Sequence, residues 1–132
     1  MSKSVFEKIF SGEEQGWTIW ENEKFAAILS REPYSEGHTL VLPKENISRG
    51  SDIWDLAPED YKGLMEASYE VAQILRRAFH PERLIIWVRG FEVSHVHLHL
   101  IPSKEGVDLI SKHRRIIDHP DLEGVYNKIM HG

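Results

Sequence analysis

The chain has 132 residues, of which 41% are hydrophobic and 28% charged, with a formal net charge of −5 and no cysteine. That length suits one domain with a sizeable core, and the composition excludes disulfides, thiolate nucleophiles and cysteine-based zinc sites. The acidic balance leaves no overall basic footprint for nucleic acid, and no apolar run approaches the roughly 20 residues of a membrane span. Residues 1–8 lack the apolar core of a signal peptide, so a soluble, cytoplasmic protein is expected.

Ser4 is placed to cap a short helix whose apolar stripe is Val5, Phe6, Ile9 and Phe10; Glu7 completes a capping box and Gly12 stops the helix. Residues 17–21 read as a strand, Asn22-Glu23 as a turn, and Lys24 to Leu29 as the second strand of a hairpin. Ser30 to Gly37, which holds Pro33, is a loop. His38 to Leu42, closed by Pro43, is the most apolar of these strands and is expected to lie centrally. Lys44 to Ala57 is irregular, with one helical turn near Ile53 and Trp54. Pro58 suits the first turn of a long helix. There Tyr61, Leu64, Met65, Ser68, Val71, Ala72 and Leu75 recur at three and four, carrying the helix to about Phe79. Pro81 ends it. Leu84 to Val88 is a strand of bulky residues, and a turn at Gly90 sends the chain back antiparallel into the next strand.

That next stretch, Ser94-His95-Val96-His97-Leu98-His99-Leu100-Ile101-Pro102, carries three of the eight histidines at spacing two. A strand turns successive side chains to opposite faces. Val96, Leu98 and Leu100 then enter a core while His95, His97 and His99 line the other face. A helix would spread the imidazoles through about 200° and gain nothing from the alternation. Histidine serves as nucleophile, acid, base or metal ligand near neutral pH. Beyond Pro102 the pattern breaks at Glu105-Gly106, and Lys112-His113-Arg114-Arg115 is a basic cluster within an expected helix. His119 to Gly132 is expected to hold a short, loosely packed helix. Trp17, Trp20, Trp54 and Trp87 read as core or dimer packing. The order of elements predicts a single α+β domain over residues 1–132 with an antiparallel sheet, its core about 5–103 and a C-terminal extension 104–132.

His95-Val96-His97-Leu98-His99-Leu100-Ile101 resembles, position for position, the triad pattern of the histidine triad (HIT) family. Residues 37–44, Gly-His-Thr-Leu-Val-Leu-Pro-Lys, are similar to a second stretch of that family. Phe6 to Glu13 resembles its N-terminal helix and the following turn. The resemblance implies a HIT-like fold and a hydrolase or nucleotidyl transferase acting at the α-phosphorus of a nucleotide-linked phosphate or phosphoramidate. It assigns His97 as the nucleophile that forms a covalent nucleotidyl intermediate, later released by water. His99 and His38 match positions that orient the nucleophile and the phosphate, and His95 the position that meets the leaving group or a phosphate oxygen. Phe6, Ile9, Ile28 and Arg31 would line the base pocket. The resemblance further implies a purine nucleotide or nucleotide conjugate as ligand and a homodimer joined through Leu84–Val88 and Pro58–Phe79. It calls for no cofactor and no metal.

The chain departs from the family pattern at several positions. Where members carry a glycine followed by glutamine and a hydroxyl residue, this chain has Gly90-Phe91-Glu92-Val93-Ser94, so Glu92 faces the expected phosphate site. The loop before it is short and the family's asparagine is missing, with Arg89 as a replacement source of positive charge. The acidic residue that binds ribose in many members aligns with Ser30, two positions before Glu32. Two other readings stay open beside the enzyme. One is a nucleotide-binding or interaction protein with little catalysis. The other is a metal protein using the triad and His38 as a four-nitrogen site.

Overall fold

The structure is a computed structural model that describes residues 4–45, 47, 52–89, 95–104 and 120–132. Helix α1 spans Val5–Ser11 and begins as its sequence dictates. Ser4 accepts the Glu7 amide while the Glu7 carboxylate accepts the Ser4 amide, and Gly12 closes the helix at φ 85°. Strands β1 (Thr18–Glu21) and β2 (Phe25–Leu29) form the hairpin, and Asn22 fixes its turn by accepting the Lys24 and Phe25 amides. β3 (Thr39–Pro43) follows, then a 3₁₀ turn at Ile53–Asp55 capped by Asp52.

Helix α2 (Pro58–Phe79) starts on its proline and ends where His80 turns left-handed at φ 46°, just before Pro81. β4 (Arg83–Trp87), β5 (Leu98–Ser103) and α3 (Leu122–His131) complete the order. The five strands form one antiparallel sheet in the order β1-β2-β3-β5-β4, so β3 is central as its composition predicts. The fold is α+β, with an antiparallel sheet, one long helix and a short N-terminal helix.

Both faces of the sheet are covered, and strand alternation divides its residues between them. Phe25, Ala27 and Leu29 of β2, Val41 of β3, and Leu98 and Leu100 of β5 pack with Leu64, Val71 and Leu75 of α2. On the opposite face Ile28, Leu40 and Leu42 pack with Phe6 of α1, beside Val5, Ile9 and Phe10. The same parity puts His99 on the α1 side. Gly37, at φ 92°, lies where an added Cβ would come 2.6 Å from the Phe79 ring, so both its backbone and its neighbour require glycine.

Two expectations need correction. The histidine strand begins at Leu98, three residues later than the alternation suggests, and it runs through Pro102 to Ser103. His95 to His97 stay buried but leave the ladder: opposite Pro43, the His95 ring rather than a backbone amide donates to the Pro43 carbonyl. Pro102 is tolerated inside β5 because it lies beyond Leu100, the last β5 residue paired with β3. The other correction concerns α3. None of its residues is fully buried, yet Leu122, Val125, Tyr126 and Ile129 pack on the main core, and Tyr126 meets Trp17 at 5.3 Å between ring centroids. The Gly90 turn and the 112–115 basic cluster lie outside the described residues.

Candidate active site

A cavity of about 570 Å³ opens on the α1 side of the sheet. β3 and β5 place His38, His97 and His99 in its wall, α1 adds Phe6 and Ile9, and β2 with its following loop adds Ile28, Ser30 and Arg31; Arg89, just past β4, also lines it. Of the sequence-predicted residues, these nine come together. Glu92 lies outside the described residues.

Two backbone groups settle which nitrogen of His97, His38 and His99 carries hydrogen. The His95 carbonyl can only accept, so His97 Nδ1–H donates to it at 2.7 Å and a neutral His97 holds its lone pair on Nε2. The Tyr34 amide can only donate, so His38 Nδ1 accepts it at 3.1 Å and the neutral ring is protonated at Nε2. That Nε2–H donates to His99 Nδ1 at 2.9 Å, which leaves the proton of neutral His99 on Nε2. His99 Nε2 is buried and has no partner among the described residues. An orphan donor of this kind costs about 1–3 kcal/mol, which a ligand oxygen would relieve.

Burial, reinforced by the neighbouring His99 and His97, lowers the His38 pKa to about 3. Burial, His97 and the Arg89 guanidinium lower His99 to about 4. Both are therefore neutral at pH 7, in keeping with the tautomers their partners impose.

His95, whose ring the resemblance places at the leaving group or a phosphate oxygen, does not line the cavity wall. The side chain is fully buried, its Nε2–H donates to the Pro43 carbonyl at 2.8 Å, and its Nδ1 lies 2.6 Å from Ser4 Oγ. Desolvation lowers its pKa against the opposing effects of the Pro43 carbonyl and the Glu7 charge. What His95 offers to the cavity side is its carbonyl, through His97. A four-nitrogen metal site is likewise not assembled. His95 is engaged elsewhere, His38 and His99 bond each other, and no group of three or more histidine or acidic side chains among the described residues is arranged to hold a metal ion.

Arg31 is exposed, paired with Glu14 at 3.3 Å and donating to the Gln15 carbonyl, which holds it along the cavity rim. Ser30 is buried and its Oγ accepts the Glu32 amide. The sequence reading missed several wall residues. Tyr34 stacks on His38 at 5.4 Å, and Trp87 sits 6.1 Å from His99 and 5.9 Å from Tyr34 with Arg89 over its ring at 5.0 Å. Leu122 reaches the wall from α3, and Trp17, read as core or dimer packing like Trp87, lines it too. The available signal was register: Trp87 pairs with His99 across β4 and β5, but only the turn length fixes that pairing.

Fold and site together define an α+β domain in which two histidines of a triad, His97 and His99, meet the upstream His38 in one cleft. A profile of the HIT domain matches residues 11–106. An uncharacterised HIT-like protein of Methanocaldococcus jannaschii is 30% identical over 129 residues, spanning 95% of this chain and 97% of that protein. Among solved structures, a hypothetical histidine triad nucleotide-binding protein from Sulfolobus tokodaii matches with a TM-score of 0.78 at 28% identity, covering 95% of this chain and 88% of its own. A zinc-bound histidine triad family protein from Mycobacterium smegmatis gives 0.76 at 31% identity, with the same coverage. The chain belongs to the HIT family.

Proposed function

We propose that the protein is a nucleotide hydrolase or nucleotidyl transferase that works through a covalent nucleotidyl-histidine on His97. The observation that carries this reading is the 2.7 Å bond from His97 Nδ1–H to the His95 carbonyl, in the wall of a cavity large enough for a nucleotide. That bond selects the tautomer whose Nε2 lone pair can attack phosphorus. The Nε2–P bond forms as the bond to the leaving group breaks, and the leaving group departs with the electron pair. Water then attacks the same phosphorus, the N–P bond breaks, and its electron pair returns to His97 while the water's protons pass to solvent and product.

Phosphoryl chemistry asks mainly for positioning and for compensation of spread negative charge. The His99 Nε2–H is a donor for a phosphate oxygen, and Arg89, fixed over Trp87, adds a full positive charge beside it. Phe6, Ile9 and Ile28 form an apolar slot for a purine base, with Arg31 at its rim and Ser30 offering a hydroxyl to the ribose. Glu92 belongs near the phosphates on the family pattern and remains a candidate contact. No residue in this scheme calls on a metal or cofactor. The nucleotide-binding description of the Sulfolobus relative supports the ligand class.

A second reading, a nucleotide-binding protein with little turnover, draws on the low pKa values of His38 and His99, which leave neither imidazole with an acid proton at neutral pH. One assay separates the two. Adenosine and guanosine phosphoramidates and dinucleoside polyphosphates are offered to the protein and to His97→Ala. Turnover that falls by about 10³-fold or more in the variant supports the enzyme. Nucleotide binding by calorimetry with no turnover supports the binder, and turnover unchanged in His97→Ala overturns the role of His97.

A further inference from the structure

We propose that Ser4, the cap of α1, is a positioning residue for the nucleophile and acts through His95. The inference rests on the reading that His97 attacks phosphorus. A helix cap needs only an acceptor, and aspartate or asparagine caps as well as serine. A hydroxyl both accepts and donates, and Ser4 does both. Its Oγ accepts the Glu7 amide at 3.1 Å and lies 2.6 Å from His95 Nδ1.

The direction of that second bond follows from the far side of the ring. His95 Nε2 must carry the hydrogen, because its partner at 2.8 Å is the Pro43 carbonyl. A neutral His95 therefore has a bare Nδ1, and Ser4 Oγ–H donates to it. The ring is pinned at both nitrogens, to the start of α1 and to the end of β3, and its own backbone carbonyl receives His97 Nδ1–H. Phe6, two residues after Ser4, packs edge-on against both rings at 5.3 Å and 5.2 Å. Ser4 and Phe6 together make α1 a brace for the pair. Without the hydroxyl donor, Nδ1 of a fully buried ring loses its partner, and the ring, with the carbonyl it carries, gains room to turn.

Three variants separate this role from capping. Ser4→Thr keeps acceptor and donor, and is expected to behave as the parent. Ser4→Gly is still a favoured cap residue but brings no O–H. Ser4→Ala removes both functions. For both Ser4→Gly and Ser4→Ala the expected result is a fall in kcat of about 10-fold to 100-fold with KM within about threefold. Nucleotide affinity stays unchanged, and the thermal midpoint of Ser4→Gly stays close to that of the parent.

The imidazole nitrogens are also read directly by ¹⁵N NMR of the ligand-free protein, a measurement that does not depend on turnover. The expected spectrum shows His97 as a single Nδ1–H tautomer in the parent and Ser4→Thr, and a mixture in Ser4→Gly and Ser4→Ala. An unmixed His97 tautomer in all four proteins overturns the proposal, as does an unchanged kcat in Ser4→Gly. Activity surviving in His97→Ala, with the tautomer still responding to Ser4, overturns the nucleophile assignment and leaves the coupling standing.

Discussion

At neutral pH His38 and His99 are uncharged because burial, and then their neighbours, lower their pKa to about 3 and about 4, and burial lowers His95 in the same direction. Unfolded, each would take up a proton near 6.5. Between those limits the unfolded chain binds more protons than the folded one, so stability rises with pH there. The contribution is fully present above about 6.5 and is lost as pH falls toward 4. Thermal midpoints measured from pH 7.5 down to pH 4.5 are expected to fall steadily; a flat profile would show that these rings are solvated in the native state. The sequence announced the four histidines, but not that the carbonyl of one receives the Nδ1–H of another. Spacing places a side chain on a face, whereas the His95 ring is held by Ser4 and Pro43, and no local pattern encodes those partners.

Helix α2 shows how an element can reverse the usual effect of a substitution. Changing a glycine inside a helix to alanine ordinarily stabilises by about 1 kcal/mol. At Gly63, though, an added Cβ would stand 2.6 Å from Cε2 of Phe25, whose ring is buried where α2 crosses β2. Gly63→Ala is therefore expected to destabilise by about 1–3 kcal/mol, the range of overpacked cores, as measured by urea unfolding. A gain in stability would mean the Phe25 ring moves aside. Elements themselves were readable where the signal is local. The Ser4 box and Gly12 set α1, the three-and-four stripe set α2, and alternation sorted β5 by face. The start of β5 was not readable, because His95 bonds Ser4 and Pro43, both distant in sequence, through its side chain and the ladder begins only at Leu98.

At the scale of the molecule, the sheet ends in β4, an edge strand that exposes Ile86, and α2 exposes Tyr69. An edge strand and large exposed apolar side chains on the two elements that the family pattern assigns to the dimer suit a second copy of this chain. Light scattering behind size exclusion is expected to give twice the 15.3 kDa chain mass, and Ile86→Lys is expected to shift it to monomer. A parent that elutes as a monomer at micromolar concentration removes this assembly. The fold class was legible in the order of elements, and the cleft in its histidines. The docking of α3, which carries Leu122 into the cavity wall, was not. An amphipathic period shows that a helix has a side to bury and says nothing about where it lands.

The imidazole of His95 joins residues separated by 91 positions on one side and 52 on the other. A link spanning that much chain exists only once the helix at the front and the last strand have both come home. Native proteins open in parts, at free energies well below that of global unfolding. A short N-terminal helix of seven residues is a natural first part to leave. When it does, the sheet can stand while the His97 nitrogen proposed as nucleophile loses its bearing. Activity would then fade on warming ahead of the cooperative melt, making turnover a more sensitive thermometer of this fold than its spectrum.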